Sequence, residues 1–156
     1  MSVADLTRVL DDAGADYQLL HHGHTERAVE EAEVLGLAAA EVAKTLIART
    51  PDGRLRALVP ASVRLDMRKL REAVGGSKDD IQLATEAEMA QDYPEFALGA
   101  VPPLGGTSSD PVIVDRRLAE HEWLVFEAGT HDDSVRMRTE DLLRIAEAQT
   151  ADLCQD

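Results

Sequence analysis

The sequence predicts a mixed α/β domain, a partly closed mixed sheet or barrel with helices around it. Three observations predict this class. Strand-like and helix-like stretches interleave along the chain without the regular strand–helix–strand rhythm of a doubly wound fold. A hairpin signature occupies the middle: Glu41–Thr50 (EVAKTLIART), a Pro51-Asp52-Gly53 turn, and Arg54–Val59. Helix-start signals punctuate the rest, notably Asp66 and the Thr85/Glu88 capping box. No repeat, low-complexity stretch or linker divides the chain, so residues 1–156 are read as one domain, and 44% hydrophobic content suffices for its core.

Val3, Leu6, Val9 and Leu10 have helical spacing after Ser2, a candidate N-cap, and Gly14 is a stop signal. Asp16–Leu20 reads as a strand entering His21-His22-Gly23-His24. Thr25 is expected to cap a helix to about Leu35 that buries Val29 and Ala32 and ends at Gly36. In the hairpin, alternation sets Lys44 on one face with Val42, Leu46 and Ala48, opposite Ala43, Thr45 and Ile47. Its return strand alternates Leu55, Ala57 and Val59 with Arg54 and Arg56. Asp66 opens a helix carrying Met67, Leu70 and Val74 on one face, closed by Gly75-Gly76. Thr85 opens another, which Pro94 ends. After the proline- and glycine-rich loop Leu98–Gly106 come strands at Val112–Asp115, Glu122–Ala128 and Ser134–Arg138. Thr139 is expected to cap the last helix, with Glu140 and Asp141 suited to its dipole.

The formal charge of −14 argues against a nucleic-acid partner, but its distribution does not. Between Lys44 and Lys78 nine basic residues face three acidic ones, a local balance of +6. Such a cluster is either a solvated face or a docking patch for a polyanion. On the second reading Arg54, Arg56, Arg64, Arg68, Lys69 and Arg71 are candidates for phosphate contacts. Aromatic content of 3% leaves no stacking platform for single strands. No apolar run is long enough to span a bilayer, the N-terminus does not read as a signal peptide, and one cysteine, Cys154, cannot form an internal disulfide. A cytoplasmic protein with no membrane partner is expected.

Nucleotide-binding glycine motifs and a G-x-S-x-G elbow are absent, and Cys154, in a tail expected to fray, makes a poor nucleophile. His21, His22 and His24 with His131-Asp132-Asp133 invite a metal reading. Adjacent strand histidines point to opposite faces, however, and the usual ligand spacing is missing, so no metal is expected. Two features carry more. Lys44 lies in a stretch apolar on both faces, where its head either snorkels to water or waits at a pocket mouth for an anion. Gly99–Gly105 holds glycines that let backbone approach a ligand and prolines that fix the remaining N–H groups. It is either a rigid connector or a main-chain oxyanion cradle.

Ala43-Lys44-Thr45-Leu46 before a hairpin, Leu65-Asp66-x-x-x-Leu70, Gly99-x-x-x-Pro103-Leu104-Gly105 and a strand ending in Asp115 together resemble the YbaK/ProX family. These are trans-editing aminoacyl-tRNA deacylases related to the editing domain of prolyl-tRNA synthetase. The resemblance runs in order from His22 to the last helix. It implies the mixed barrel-like fold, hydrolysis of the ester of a misacylated tRNA, possibly tRNA(Pro), and no metal or other cofactor. By motif match Lys44 is the essential lysine, with His22, Thr45, Gly99, Ala100, Val101, Pro103, Gly105, Asp115, Glu127, Gly129 and Ser134 around the substrate. The partner is the aminoacyl-tRNA acceptor end. A synthetase partner and the oligomeric state, monomer or homodimer, stay open. Three positions depart from the cysteinyl-tRNA(Pro) deacylase branch: Leu20 replaces a tyrosine, Glu127-Ala128-Gly129 a Ser-Gly-Gly segment, and Ser134 an aspartate. They leave the amino acid open. The expected mechanism sets Lys44 on the terminal phosphate or ester oxygen, Ala100 and Val101 N–H groups on the carbonyl, and the ribose 2′-hydroxyl at the water. The rival reading is a non-catalytic tRNA-end or small-ligand module, and a hydrolase of other esters is a third.

Overall fold

A computed structural model describes residues 3–106 and 110–156. Helix α1 (Val3–Asp12) ends before Gly14, which adopts the left-handed φ of 71° that a stop requires. Ser2, the expected N-cap, lies outside the described residues. Strand β1 (Tyr17–His21) leads to helix α2 (Ala28–Leu35), then a single 3₁₀ turn at Ala39–Glu41. The central hairpin pairs β2 (Ala43–Thr50) with β3 (Gly53–Pro60) in full register, Thr50 opposite Gly53. Helix α3 (Met67–Val74), a two-residue β4 (Gln82–Leu83), helix α4 (Glu86–Asp92), β5 (Val112–Asp115) and one turn of helix α5 (Arg116–Ala119) follow. The chain then forms β6 (Trp123–Glu127), β7 (Asp133–Arg138), helix α6 (Thr139–Ile145) and β8 (Gln149–Ala151).

The strands make two sheets, an antiparallel β1-β7-β6 and a mixed β4-β2-β3-β5-β8 in which β5 runs parallel to β3 and β8. They meet at a parallel bridge between Val42 and Val125. That is the predicted mixed architecture with helices outside. β3 is the spine: Leu58 packs into the core shared with α1, α5, α6 and the smaller sheet, while Leu55, Ala57 and Val59 pack toward α3. Buried on both faces, it carries almost no polar alternation. Asp66 caps α3 by accepting from the Arg68 and Lys69 N–H groups, and Thr85 with Glu88 forms the expected capping box. Among the described residues no helix is long and apolar enough to cross a membrane.

Several local expectations are corrected. Arg27, not Thr25, is the N-cap of α2, and Val29 faces solvent. Thr25 instead donates its N–H to the His131 carbonyl, extending the β1–β7 edge. Arg138 is the N-cap of α6, with Thr139 its first residue. The C-terminal segment does not fray, because Leu153 and Cys154 are buried and Cys154 bridges to Leu65. Burial pushes the Cys154 thiol up to about 12, with the Asp115 carboxylate adding to it, so it is an inert core side chain.

Candidate functional site

The start of β2 faces the Leu98–Val101 segment across a cleft of about 620 Å³. Lys44, Thr45, Gly99, Val101 and Glu127 line it together, with Arg64 and Glu26 at its borders. The volume is that of a small-molecule site. Lys44 is half-buried, and among the described residues no carboxylate pairs with its ammonium. Burial lowers its pKa from the ordinary lysine value, and the Arg64 charge adds to this against an opposing effect of Cys154. An unpaired, partly desolvated cation on a rigid central strand is poised for an anion supplied from outside.

The loop divides between two places. Gly99, with φ 83°, and Val101 line the cleft, and among the described residues neither N–H has a protein acceptor. The Ala100 N–H is already committed to the Ala97 carbonyl, so it is not free for a substrate carbonyl. Pro103 and Gly105 line a separate hollow on the far side, beside Arg56 and Asp110. Arg56 explains the loop's path. Its guanidinium is buried, donating to the Pro102 and Gly105 carbonyls at 2.9 and 2.8 Å and pairing with Asp110 at 3.1 Å. Tyr93 lies under the same guanidinium and donates its hydroxyl to Asp110. Arg56 is therefore the loop's internal anchor and does not reach a phosphate.

Two other expected ligand contacts are structural. Asp115 is fully buried outside the cleft, accepting from the N–H groups of Arg117 and Leu153, and so ties α5 to the C-terminal segment. Gly129 (φ 95°) lies against Phe96, where an added Cβ would come within 2.7 Å of Cδ1. Most of the basic cluster is internally paired: Arg54 with Glu88 and Asp92, Lys69 with Asp152 and Asp156, Arg68 with Glu72, while Arg71 donates to the Ile81 carbonyl. Arg64, exposed at the cleft border, is the expected phosphate contact that lies nearest Lys44's surroundings.

Beside Glu127 on the cleft wall lies a buried polar group of which the sequence reading named Glu127, Ser134 and His22 as substrate contacts, but not Glu31 or His131. Glu127, at the end of β6, points its Oε2 to 2.9 Å from His131 Nδ1, although the two groups are not aligned as a hydrogen bond. His131 Nε2 donates to the Leu98 carbonyl at 2.7 Å, one residue before Gly99. Behind them Ser134 bridges Glu31 and His22, with His22 Nε2 2.8 Å from its hydroxyl. Burial raises Glu31, and burial plus the charges of Glu31 and Glu26 push Glu127 up to about 9. His21 and His24 pair separately with Asp133, and with Glu26 and Asp132. Among the described residues no three His, Cys, Asp or Glu side chains converge as a metal requires.

A Glu127 carboxyl kept neutral above the 4.5 of a free glutamate fixes the sign of its pH effect. The folded chain holds a proton there that the unfolded chain has released. This contribution is complete below about pH 4.5 and is lost as pH rises through about 9. Urea midpoints of the wild-type protein are expected to fall from pH 5 to 9 more steeply than those of Glu127→Gln. Equal slopes would show that Glu127 is ionised in the fold.

Comparison with known proteins shows the family. A curated relative from Escherichia coli (strain K12), the multifunctional Ser/Thr-tRNA deacylase ProXp-y, is 28% identical over 149 residues, 92% of this chain and 87% of that one. A solved structure described as a candidate trans-editing enzyme for prolyl-tRNA synthetase superposes with a TM-score of 0.87 at 27% identity, covering 99% of this chain and 97% of that one. A hypothetical protein of known structure, 23% identical, has the same fold with a TM-score of 0.87 over 97% of this chain and 99% of its own. The sequence profile of the aminoacyl-tRNA editing domain matches residues 22–145, from His22 through the last helix, and the chain belongs to that family of hydrolases acting on aminoacyl-tRNA esters.

Proposed function

We propose that the protein deacylates mischarged tRNA in trans, taking the 3′-terminal aminoacyl-adenosine into the Lys44 cleft. One observation carries the reading: Lys44, with no carboxylate partner among the described residues, lines a single cleft of ligand size together with Gly99 and Val101, whose N–H groups have no acceptor among the described residues. An aminoacyl ester is already activated, so positioning and charge stabilisation suffice and no protein nucleophile is needed. Lys44 holds the terminal phosphate or the ester oxygen. Water adds to the carbonyl carbon, helped by the substrate's ribose 2′-hydroxyl, and the Val101 N–H meets the resulting oxyanion. The C–O3′ bond then breaks, and the 3′ oxygen leaves with a proton as the free tRNA hydroxyl. Arg64 at the cleft border supports the acceptor-stem phosphates without reading sequence.

The name of the Escherichia coli relative points to seryl and threonyl esters, and the description of the solved neighbour names prolyl-tRNA synthetase, whose tRNA we take as one candidate acceptor. The test is a panel of tRNAs, tRNA(Pro) among them, each charged with serine, threonine, alanine, cysteine or proline. Release of serine and threonine well above the spontaneous rate is expected. Binding of the charged tRNAs without hydrolysis of any would make the protein a recognition module.

A further inference from the structure

Exposed apolar side chains gather at the cleft. Among the described residues five large hydrophobics are exposed: Leu19, Val29, Val34, Leu83 and Leu98. Scattered singly, such residues need no explanation. Here three of them come together from distant segments. Val29 on α2 and Leu83 on β4 line the Lys44 cleft. Leu98 lines a smaller hollow of about 210 Å³ that shares Met89, Gly99 and Val101 with the cleft. The three are 38%, 45% and 46% exposed, so the fold leaves nearly half of each leucine uncovered beside a ligand-sized cavity.

The charges beside them define the occupant. Lys44 and Arg64 line the cleft without a carboxylate partner among the described residues. Of the two carboxyls that line it, Glu26 bonds His24, and burial keeps Glu127 neutral up to about pH 9. An apolar mouth with unpaired cations fits a ligand that alternates flat apolar faces with anionic groups, and a single strand of RNA has that chemistry. An apolar peptide would leave the cations without a counter-charge. No aromatic residue lines the cleft, so aliphatic side chains must take the place of a stacking platform.

We propose that Val29, Leu83 and Leu98 form a packing surface for the base that precedes the terminal adenosine, holding the single-stranded RNA end while the adenosine and its ester enter the cleft. The proposal rests on the deacylase reading above and deepens it with a contact to the RNA strand outside the reacting group. Apolar packing on a base face carries no hydrogen-bond code, so the contact tolerates any base and is blind to the amino acid.

The experiment measures by fluorescence anisotropy the binding of an uncharged RNA hairpin ending in CCA, either intact or with an abasic residue before the terminal adenosine. The abasic residue keeps its phosphate, so only the base is removed. The wild type is expected to bind the abasic hairpin about 3–10-fold more weakly than the intact one. Leu83→Ser and Leu98→Ser should each weaken binding of the intact hairpin by a similar factor and lose little more on the abasic one. Leu19→Ser, equally exposed but outside the cleft, should bind both hairpins as the wild type does. An abasic penalty of the same size in the wild type and both cleft variants would overturn the proposal, leaving the apolar mouth to the adenosine or to a protein partner. So would a wild type that shows no penalty or does not bind the hairpin. Release of serine from the same hairpin, once charged, tests the deacylase reading separately. The expected abasic pattern without hydrolysis would sink that reading and leave the RNA contact standing.

Discussion

A folded Lys44→Ala protein is expected to release amino acid from mischarged tRNA about 10²–10³-fold more slowly than the wild type, the loss typical of removing one preorganised charge-stabilising group. Its stability should move the other way or not at all. Lys44 is half-buried and has no carboxylate partner among the described residues, so truncation removes a desolvated charge and breaks no ion pair. Single-turnover deacylation alongside urea unfolding separates the two effects. Lys44→Arg should rescue poorly, because a planar fork on a longer stem cannot place one compact charge at the same point on β2. Activity of Lys44→Ala within a few-fold of wild type would remove the lysine from the mechanism.

Arg56→Met is the substitution expected to damage the fold most. The guanidinium is 1% exposed and bonds Asp110, two loop carbonyls and the face of Tyr93. Removing one partner of a buried ion pair costs about 3–5 kcal/mol, because the other is left charged and unpaired. At roughly 2–4 °C per kcal/mol for a chain of this size, the thermal midpoint should fall by about 6–20 °C. Arg56→Met combined with Asp110→Asn should recover part of that loss, which calorimetry of the two single variants and the double would show. Additive losses would mean that the pair is not coupled and that the loop is held elsewhere.

Much of the frame was legible because its signals are local. The hairpin, the Asp66 cap, the Thr85/Glu88 box and the Gly36 stop each rest on residues a few positions apart. β4 and β8 are two and three residues long and form only by pairing with distant strands, so no periodicity announced them. The basic run misled for a related reason. Counted along the chain it looked like a patch, but its neutralising partners Glu88, Asp92, Asp110 and Asp152 come from other segments. Alternation along β3 placed Arg56 on the polar side of a strand that is buried on both faces.

The Lys44 wall of the site was readable from its motif. Glu127 came with the same motif match, but the Glu31 and His131 beside it did not, since α2 and the turn before β7 supply them. A signal did exist in α2: Ala28, Glu31, Ala32 and Leu35 fall on one helical stripe, which sets a carboxyl among the inward-facing positions. A charged residue on an apolar stripe identifies the element that brings a buried polar group to a site.

Two residues that line the cleft belong to different sheets, Lys44 to the large one and Glu127 to the small one. On the proposed mechanism, this arrangement would separate what the enzyme does from what it accepts. Changes at the ends of β6 and β7 would then redirect selection toward another amino acid while β2 and its anchored loop keep Lys44 in place. A lineage could thus acquire a new proofreading target by drift on one wall, without passing through an inactive ancestor.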